Sequence, residues 1–237
     1  FVNGTQTGST YSDTNNYISS PIEVGAYTTS PTLNGYISNL RVVKGTGLYN
    51  NTFTPSTTPL QAIANTSLLT CQSGQFVDNS GNNFAVTVTG SPKVQKYNPF
   101  NITTLSTPYY SNYFNGSTDY LTIPSPSGSV YDLASGNFTI EAWVNMASFS
   151  SSPCICGVYR FGDSSVVQYL LDFDTSGHLD FMMFQTSGTY NQITTSTTLS
   201  LNTWYHVAVT RSTNTITLWI NGVSSGTGSI TVTPMAL

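Results

Sequence analysis

The chain has 237 residues, of which only 7% are charged, and a formal net charge of −4; an average soluble protein carries roughly 25% charged residues. Six Lys and Arg in all leave no basic footprint for a phosphate backbone, which excludes nucleic acid as a partner, and no apolar run approaches the roughly 18 residues of a membrane-spanning helix, which argues against membrane insertion. Ser and Thr supply 69 residues, Asn 21 and Tyr 15, a composition of pleated sheet rather than of helix or disorder.

Helical periodicity is absent, and strand-like alternation is easy to find. In chain order, strands are expected over 36–43, 66–71, 84–89 and 119–123. Within 137–144, Phe138, Ile140, Ala142 and Val144 share one face, while Thr139, Glu141 and Trp143 share the other. Val167, Tyr169, Leu171 and Phe173 form an apolar face, Asp174-Thr175-Ser176-Gly177 reads as a turn, and Leu179, Phe181 and Met183 lie on the returning strand. Tyr205, Val207 and Val209 alternate against His206, Ala208 and Thr210. Ile216, Leu218 and Ile220 alternate against Thr215, Thr217 and Trp219, and Asn221-Gly222 then signals a hairpin turn. Many short strands between Gly, Asn, Ser and Pro point to an all-β antiparallel sandwich.

Three cysteines, Cys71, Cys154 and Cys156, are an odd number. A bridge between Cys154 and Cys156, separated only by Ile155, is strained; a bridge from Cys71 to either stays open beside the reading as small half-buried apolar residues. The Cys-x-Cys pair has no accompanying His or Cys cluster and makes a poor metal site. The chain opens FVNGT, without a Met, a basic end or an apolar stretch, and reads as an excised segment.

The two ends echo each other. Phe1-Val2-Asn3-Gly4 recurs as Trp219-Ile220-Asn221-Gly222, 218 residues later, and the same offset places Gly226 on Gly8. Between them, YFNGSTDYLTIP at 113–124, DLASGNFTIEAWV at 132–144, LNTWYHVAVTR at 201–211 and ITLWINGV at 216–223 resemble the opening and central strands of the concanavalin A-like, laminin G-like jelly-roll modules. NGYISNLRVVKGTGLYNNTFTPSTTPL at 34–60 resembles the closing strands of such a module, and NTSLLTCQSGQFVDNSGNNFAVTVTG at 65–90 the opening strands of the next. The resemblance implies an all-β jelly-roll sandwich in tandem or polymerised modules. Closing text precedes opening text, so residues 1–59 read as the end of one module and residues 60–237 as the start of another, one repeat period of about 218 residues. The alternative is a circularly permuted single domain, in which residues 1–59 pack on 60–237 of the same chain. Pairing of strand 36–43 within its own chain distinguishes the second arrangement from the first.

Catalysis finds little support. A glycosidase of this fold needs two carboxylates flanking a cleft, and the ten acids are scattered without the Glu-x-Asp-x-x-Glu spacing of the glucanases that share the jelly roll. Asp172 and Asp174 lie two apart on one strand face, but Asp174 runs straight into the turn. His178, in a turn, and His206, on a strand, have no legible partner. The resemblance implies that a Ca²⁺ ion could sit at a sandwich rim, where Asp163 after Gly162 is the nearest candidate ligand. No other cofactor is implied. It also implies carbohydrate binding through aromatic stacking and amide or hydroxyl hydrogen bonds. Trp143, Trp204 and Trp219 have the family's core spacing and read as packing residues, which leaves Tyr159, Asp163, Tyr190 and Asn191, in the loops at 150–163 and 186–192, as the exposed candidates. Six Asn-x-Ser/Thr sequons, at Asn3, Asn50, Asn65, Asn101, Asn115 and Asn137, are about as many as the composition produces by chance. The expected function is a non-enzymatic structural or adhesive module of an extracellular or virion fibre, resembling repeats of phage tail fibres and bacterial surface proteins. Its partners would be copies of itself, neighbouring modules and cell-surface glycans. A dedicated lectin or adhesin is the alternative, and a glycan-cleaving enzyme a third.

Overall fold

The computed structural model describes residues 21–26, 32–49, 51, 53–100, 110–125, 130–131, 133, 136–159, 167–186 and 189–229. Among them every regular element is a strand: β1 (Ile22–Val24), β2 (Asn34–Lys44), β3 (Thr66–Thr70), β4 (Thr87–Thr89), β5 (Lys93–Gln95), β6 (Ser111–Asn115), β7 (Tyr120–Ile123), β8 (Phe138–Ser148), β9 (Cys154–Tyr159), β10 (Val167–Phe173), β11 (His178–Thr186), β12 (Thr189–Thr198), β13 (Trp204–Ser212), β14 (Thr215–Ile220) and β15 (Val223–Ser229). They form two antiparallel sheets. One has seven strands in the order β12-β11-β10-β9-β1-β7-β4; the other has eight, in the order β15-β14-β13-β8-β2-β6-β5, with β3 paired to β2 off this path.

The alternation read from the sequence sets the faces. Phe138, Ile140, Ala142 and Val144 of β8, Val207 and Val209 of β13, and Ile216, Leu218 and Ile220 of β14 point into a core that Tyr169, Leu171, Phe173, Leu179, Phe181 and Met183 fill from the seven-stranded sheet. The strand expected over 36–43 is β2, and it lies inside the eight-stranded sheet of its own chain, between β8 and β6. β1 sits likewise between β9 and β7. Ile22, Val24, Ile37, Leu40 and Val42 share the core with residues beyond 60, so β1 and β2 are part of the sandwich of their own chain.

One residue sets the facing of β2. The register slips between Ser38, opposite Trp143, and Arg41, opposite Glu141, and Asn39 in this bulge has φ of 56°, a left-handed conformation that Asn tolerates better than most residues. The extra residue reverses the parity of everything after it. Leu40 and Val42 thereby face the core, and Arg41 comes to the outer face beside Glu141.

Two edges of the sandwich meet along a seam. β12 and β15, one from each sheet, approach so closely that a Cβ on Gly226 would collide with Thr194 O; Ser196 Oγ donates to Ser225 O at 3.1 Å, and Thr197 N donates to Ser225 Oγ at 3.2 Å. At the other side the edge strands β4 and β5 are three residues each.

Candidate functional site

The outer face of the eight-stranded sheet is crossed by the segment that follows β2. Its start is held by Thr139, whose Oγ1 accepts from Leu48 N at 2.8 Å and donates to Thr46 O at 3.2 Å. Tyr49 and Phe53 then stack, with ring centroids 3.6 Å apart and planes 3° from parallel, and Phe53 lies edge-on to His206 and Trp219 at 5.5 and 5.6 Å. Phe53 N donates to Gly222 O at 2.8 Å. The Asn221-Gly222 turn has φ of 50° and 79°, and a Cβ on Gly222 would collide with the Phe53 carbonyl, so only glycine lets the segment lie this close. Leu60 N donates to Asn39 Oδ1 at 2.9 Å and ties the far end back to β2.

Under this strap lies a buried charge network. Glu141 Oε1 accepts from Arg41 Nε at 2.9 Å and Nη2 at 2.5 Å, while Oε2 accepts from the Tyr49 hydroxyl at 2.6 Å. His206 Nε2 is 3.1 Å from Oε2, with both side chains fully buried; an ionised carboxylate only accepts, so the ring proton facing it belongs on Nε2. Arg41 Nη1 donates to Gln61 O at 2.8 Å. Burial opposes ionisation of Glu141, yet the His206 hydrogen bond, the Arg41 and His206 charges and the Tyr49 hydroxyl outweigh it and hold the carboxyl below its ordinary value. For Tyr49, burial and then the Glu141 charge push the phenol well above the ordinary range. These four residues therefore fasten the strap to the sheet and are not exposed acid–base groups.

Beside the strap the same face opens into a groove of about 590 Å³, lined by Thr54, Pro55, Thr57, Pro99, Phe100, Trp143, Trp204 and Asn221. Trp143 stands edge-on to Phe100 at 5.9 Å and to His206 at 5.5 Å, so the charge network braces the ring from below. Trp204 is held by its backbone: with its carboxamide oxygen turned toward them, Asn145 accepts from Trp204 N, Thr203 N and the Tyr97 hydroxyl at 3.3, 3.2 and 3.1 Å. The indole N–H of Trp143 and of Trp204 is buried and has no acceptor among the described residues. No charged side chain lines the groove. Its size is that of a small-molecule site, and its lining of indole rings, hydroxyls and one amide suits a neutral, hydroxyl-rich ligand.

The residues singled out in the sequence lie elsewhere in the sandwich. Parity puts Trp143 and Trp204 on the face opposite the core, where they pack half-buried against other aromatic rings and not in the core itself. Trp219 is on the outer face too, but it is 2% exposed beneath Phe53 and donates from Nε1 to Thr210 Oγ1 at 3.0 Å, so packing does account for it. The expected loops at 150–163 and 186–192 contain strands: Tyr159 ends β9, and Tyr190 and Asn191 lie on β12. Tyr190, opposite Phe184, points outward, while Asn191, opposite Met183, has the parity of the core. β10 and β11 also separate Tyr159 from Tyr190. Asp163 lies outside the described residues. Among the described residues no three His, Cys, Asp or Glu side chains come together to hold a metal ion.

Both histidines have partners that spacing did not reveal. His178 Nδ1 is 2.8 Å from Asp174 Oδ2, while Asp174 Oδ1 accepts from Ser176 N and His178 N at 2.8 and 2.9 Å, which makes Asp174 a turn residue. Asp172 instead faces Asp180 directly across β10 and β11, on the outer side of the seven-stranded sheet. All three cysteines are free and buried.

A family model described as Laminin_G_3, of the concanavalin A-like lectin/glucanases superfamily, matches residues 115–236. The chain belongs to this family. The match begins at the end of β6, so β1 to β5 enter the sandwich from outside the matched segment. Membership makes the protein a module of carbohydrate-binding or adhesive type in general terms. No curated protein and no solved structure matches the chain.

Proposed function

We propose that the chain is a non-enzymatic carbohydrate-binding module of an extracellular or virion fibre, and that the groove floored by Trp143 and Trp204 is where the glycan sits. The groove's chemistry carries this reading. Two braced indole rings offer faces for the C–H side of a sugar, and Thr54, Thr57 and Asn221 offer hydrogen bonds to its hydroxyls. The paired acids, Asp172 and Asp180, are on the other sheet, away from the groove, which supports binding without cleavage. A surface built on hydroxyls and amides, with few charges, suits a fibre exposed to the medium. Copies of the sandwich are its structural partners.

A glycan array probed with the parent protein and with Trp143→Ala and Trp204→Ala variants tests the reading. Saturable binding lost in both variants, with melting temperatures retained, is the expected result. Binding unchanged in both variants would move the site elsewhere, and polysaccharide turnover that disappears in Asp172→Asn would make the protein an enzyme.

A further inference from the structure

We infer that the groove continues into a row of aromatic side chains that takes a single, twisted glycan chain lengthwise across the strands. The inference rests on the groove being the glycan site. Trp204 of β13 lies opposite Asn145 of β8, Asn145 opposite Tyr36 of β2, and Tyr36 opposite Tyr113 of β6. Residues in direct register share a face, so these four side chains form one line perpendicular to the strands. With about 4.8 Å between neighbouring strands, the line is roughly 14 Å long.

Tyr97, from the segment after β5, closes the gap above Asn145: its ring centroid is 5.0 Å from Tyr36 and 5.3 Å from Trp204, and its hydroxyl meets the Asn145 carboxamide. Tyr36 and Tyr113 follow at 5.1 Å. The row is open to solvent, with Tyr97 48% exposed and Tyr36, Tyr113 and Trp204 half-buried. Trp204 belongs to both groove and row, which makes them one continuous surface.

The ring planes decide the form of the ligand. Tyr97 and Tyr36 cross at 67°, Tyr36 and Tyr113 at 55°, and Tyr97 and Trp204 at 40°. A flat crystalline polysaccharide face needs coplanar rings, and these are tilted in succession. A separate chain whose sugar planes rotate from one residue to the next can meet them in turn, and the strand spacing is close to the rise of one β-linked pyranose.

Calorimetric titration with β-1,4-linked gluco-, manno- and xylo-oligosaccharides, from disaccharide to hexasaccharide, tests this, alongside sedimentation with crystalline cellulose. In a series that binds, affinity should rise about tenfold from the disaccharide to the pentasaccharide as further rings are engaged. Tyr113→Ala should remove that gain and leave disaccharide affinity unchanged, since Tyr113 packs on Tyr36 at the end of the row farthest from Trp204; Tyr113→Phe, which keeps the ring, should keep the gain. Affinity independent of length, in a protein whose binding Trp204→Ala still abolishes, would overturn the row and leave the groove. Binding to the crystalline solid without binding to soluble oligomers would overturn the single-chain mode. Failure of all three series would overturn the row and the groove together.

Discussion

Asp172 and Asp180 oppose each other across β10 and β11, and each is 4% exposed. Burial, followed by the charges of Asp180 and Asp174, pushes the Asp172 carboxyl up to about 8 from an ordinary 3.8. The unfolded chain releases this proton near pH 4, whereas the folded chain holds it to about pH 8, so the folded state loses about 1.4 kcal/mol per pH unit in that window. The penalty is absent below pH 4 and reaches about 4 kcal/mol at pH 7. Asn has the same shape and no proton to lose. Asp172→Asn should therefore match the parent at pH 4 and exceed it at pH 7 by an amount approaching that figure. Urea unfolding followed by tryptophan fluorescence at each pH from 4 to 8 measures the difference, and ionisations common to both proteins cancel in it. Parallel stability profiles for parent and variant would refute the reasoning, because they would mean that the pair is hydrated and ionised in the folded protein.

Glu141→Gln should cost about 3–5 kcal/mol in the same assay, since it leaves the buried Arg41 without its counter-charge, and Tyr49→Phe about 1–3 kcal/mol for one hydrogen bond to a charged group. Because the Glu141 carboxyl is held below its ordinary 4.5, its contribution is complete above that pH and is lost as pH falls through the lowered value; this acid limb should be missing from the Glu141→Gln profile. Gly222→Ala puts a side chain at positive φ and into the Phe53 carbonyl, so a loss of about 1–3 kcal/mol should accompany a red shift of Trp219 fluorescence as the strap lifts. Burial pushes the Cys71 thiol up to about 12 and those of Cys154 and Cys156 higher than their ordinary value. None of the three should react with a thiol reagent in the native protein, and all three should react in denaturant.

Much of the sandwich is legible in the sequence because its long strands are covered on one side by the core. Phe138, Ile140, Ala142 and Val144 announce β8 by alternation alone, and Asn221-Gly222 announces the turn after β14. The central strand β9 escapes the same reading. In Cys154-Ile155-Cys156-Gly157-Val158 both faces are buried, so no polar residue marks every second position. The groove is less legible for a related reason. Trp143 alternates with core residues on the parity of Glu141, and that parity marks it as outward-facing, but its match to the family's core spacing masks the signal. The charge network had no local signature at all, since Arg41 and His206 stand 100 and 65 residues from Glu141 and meet it only through strand register. The bulge at Asn39 is equally silent, yet without it Arg41 would face the core.

The seam between β12 and β15 bears on how such a protein meets copies of itself. A free strand edge offers unpaired N–H and C=O groups to any passing chain, and sandwiches commonly aggregate by adding strands there. Here the long edges of the two sheets are turned against each other; among the described residues the opposite side presents the three-residue β4 and β5, with the exposed Lys93 at the start of β5, and the five-residue β3, whose Leu69 N and O are already taken by Asp78 Oδ1 and Asn79 N. Growth by continuous backbone pairing is thus blocked on both sides. Any two copies brought together at high concentration would touch through side chains and turns, and so resist fusing into amyloid.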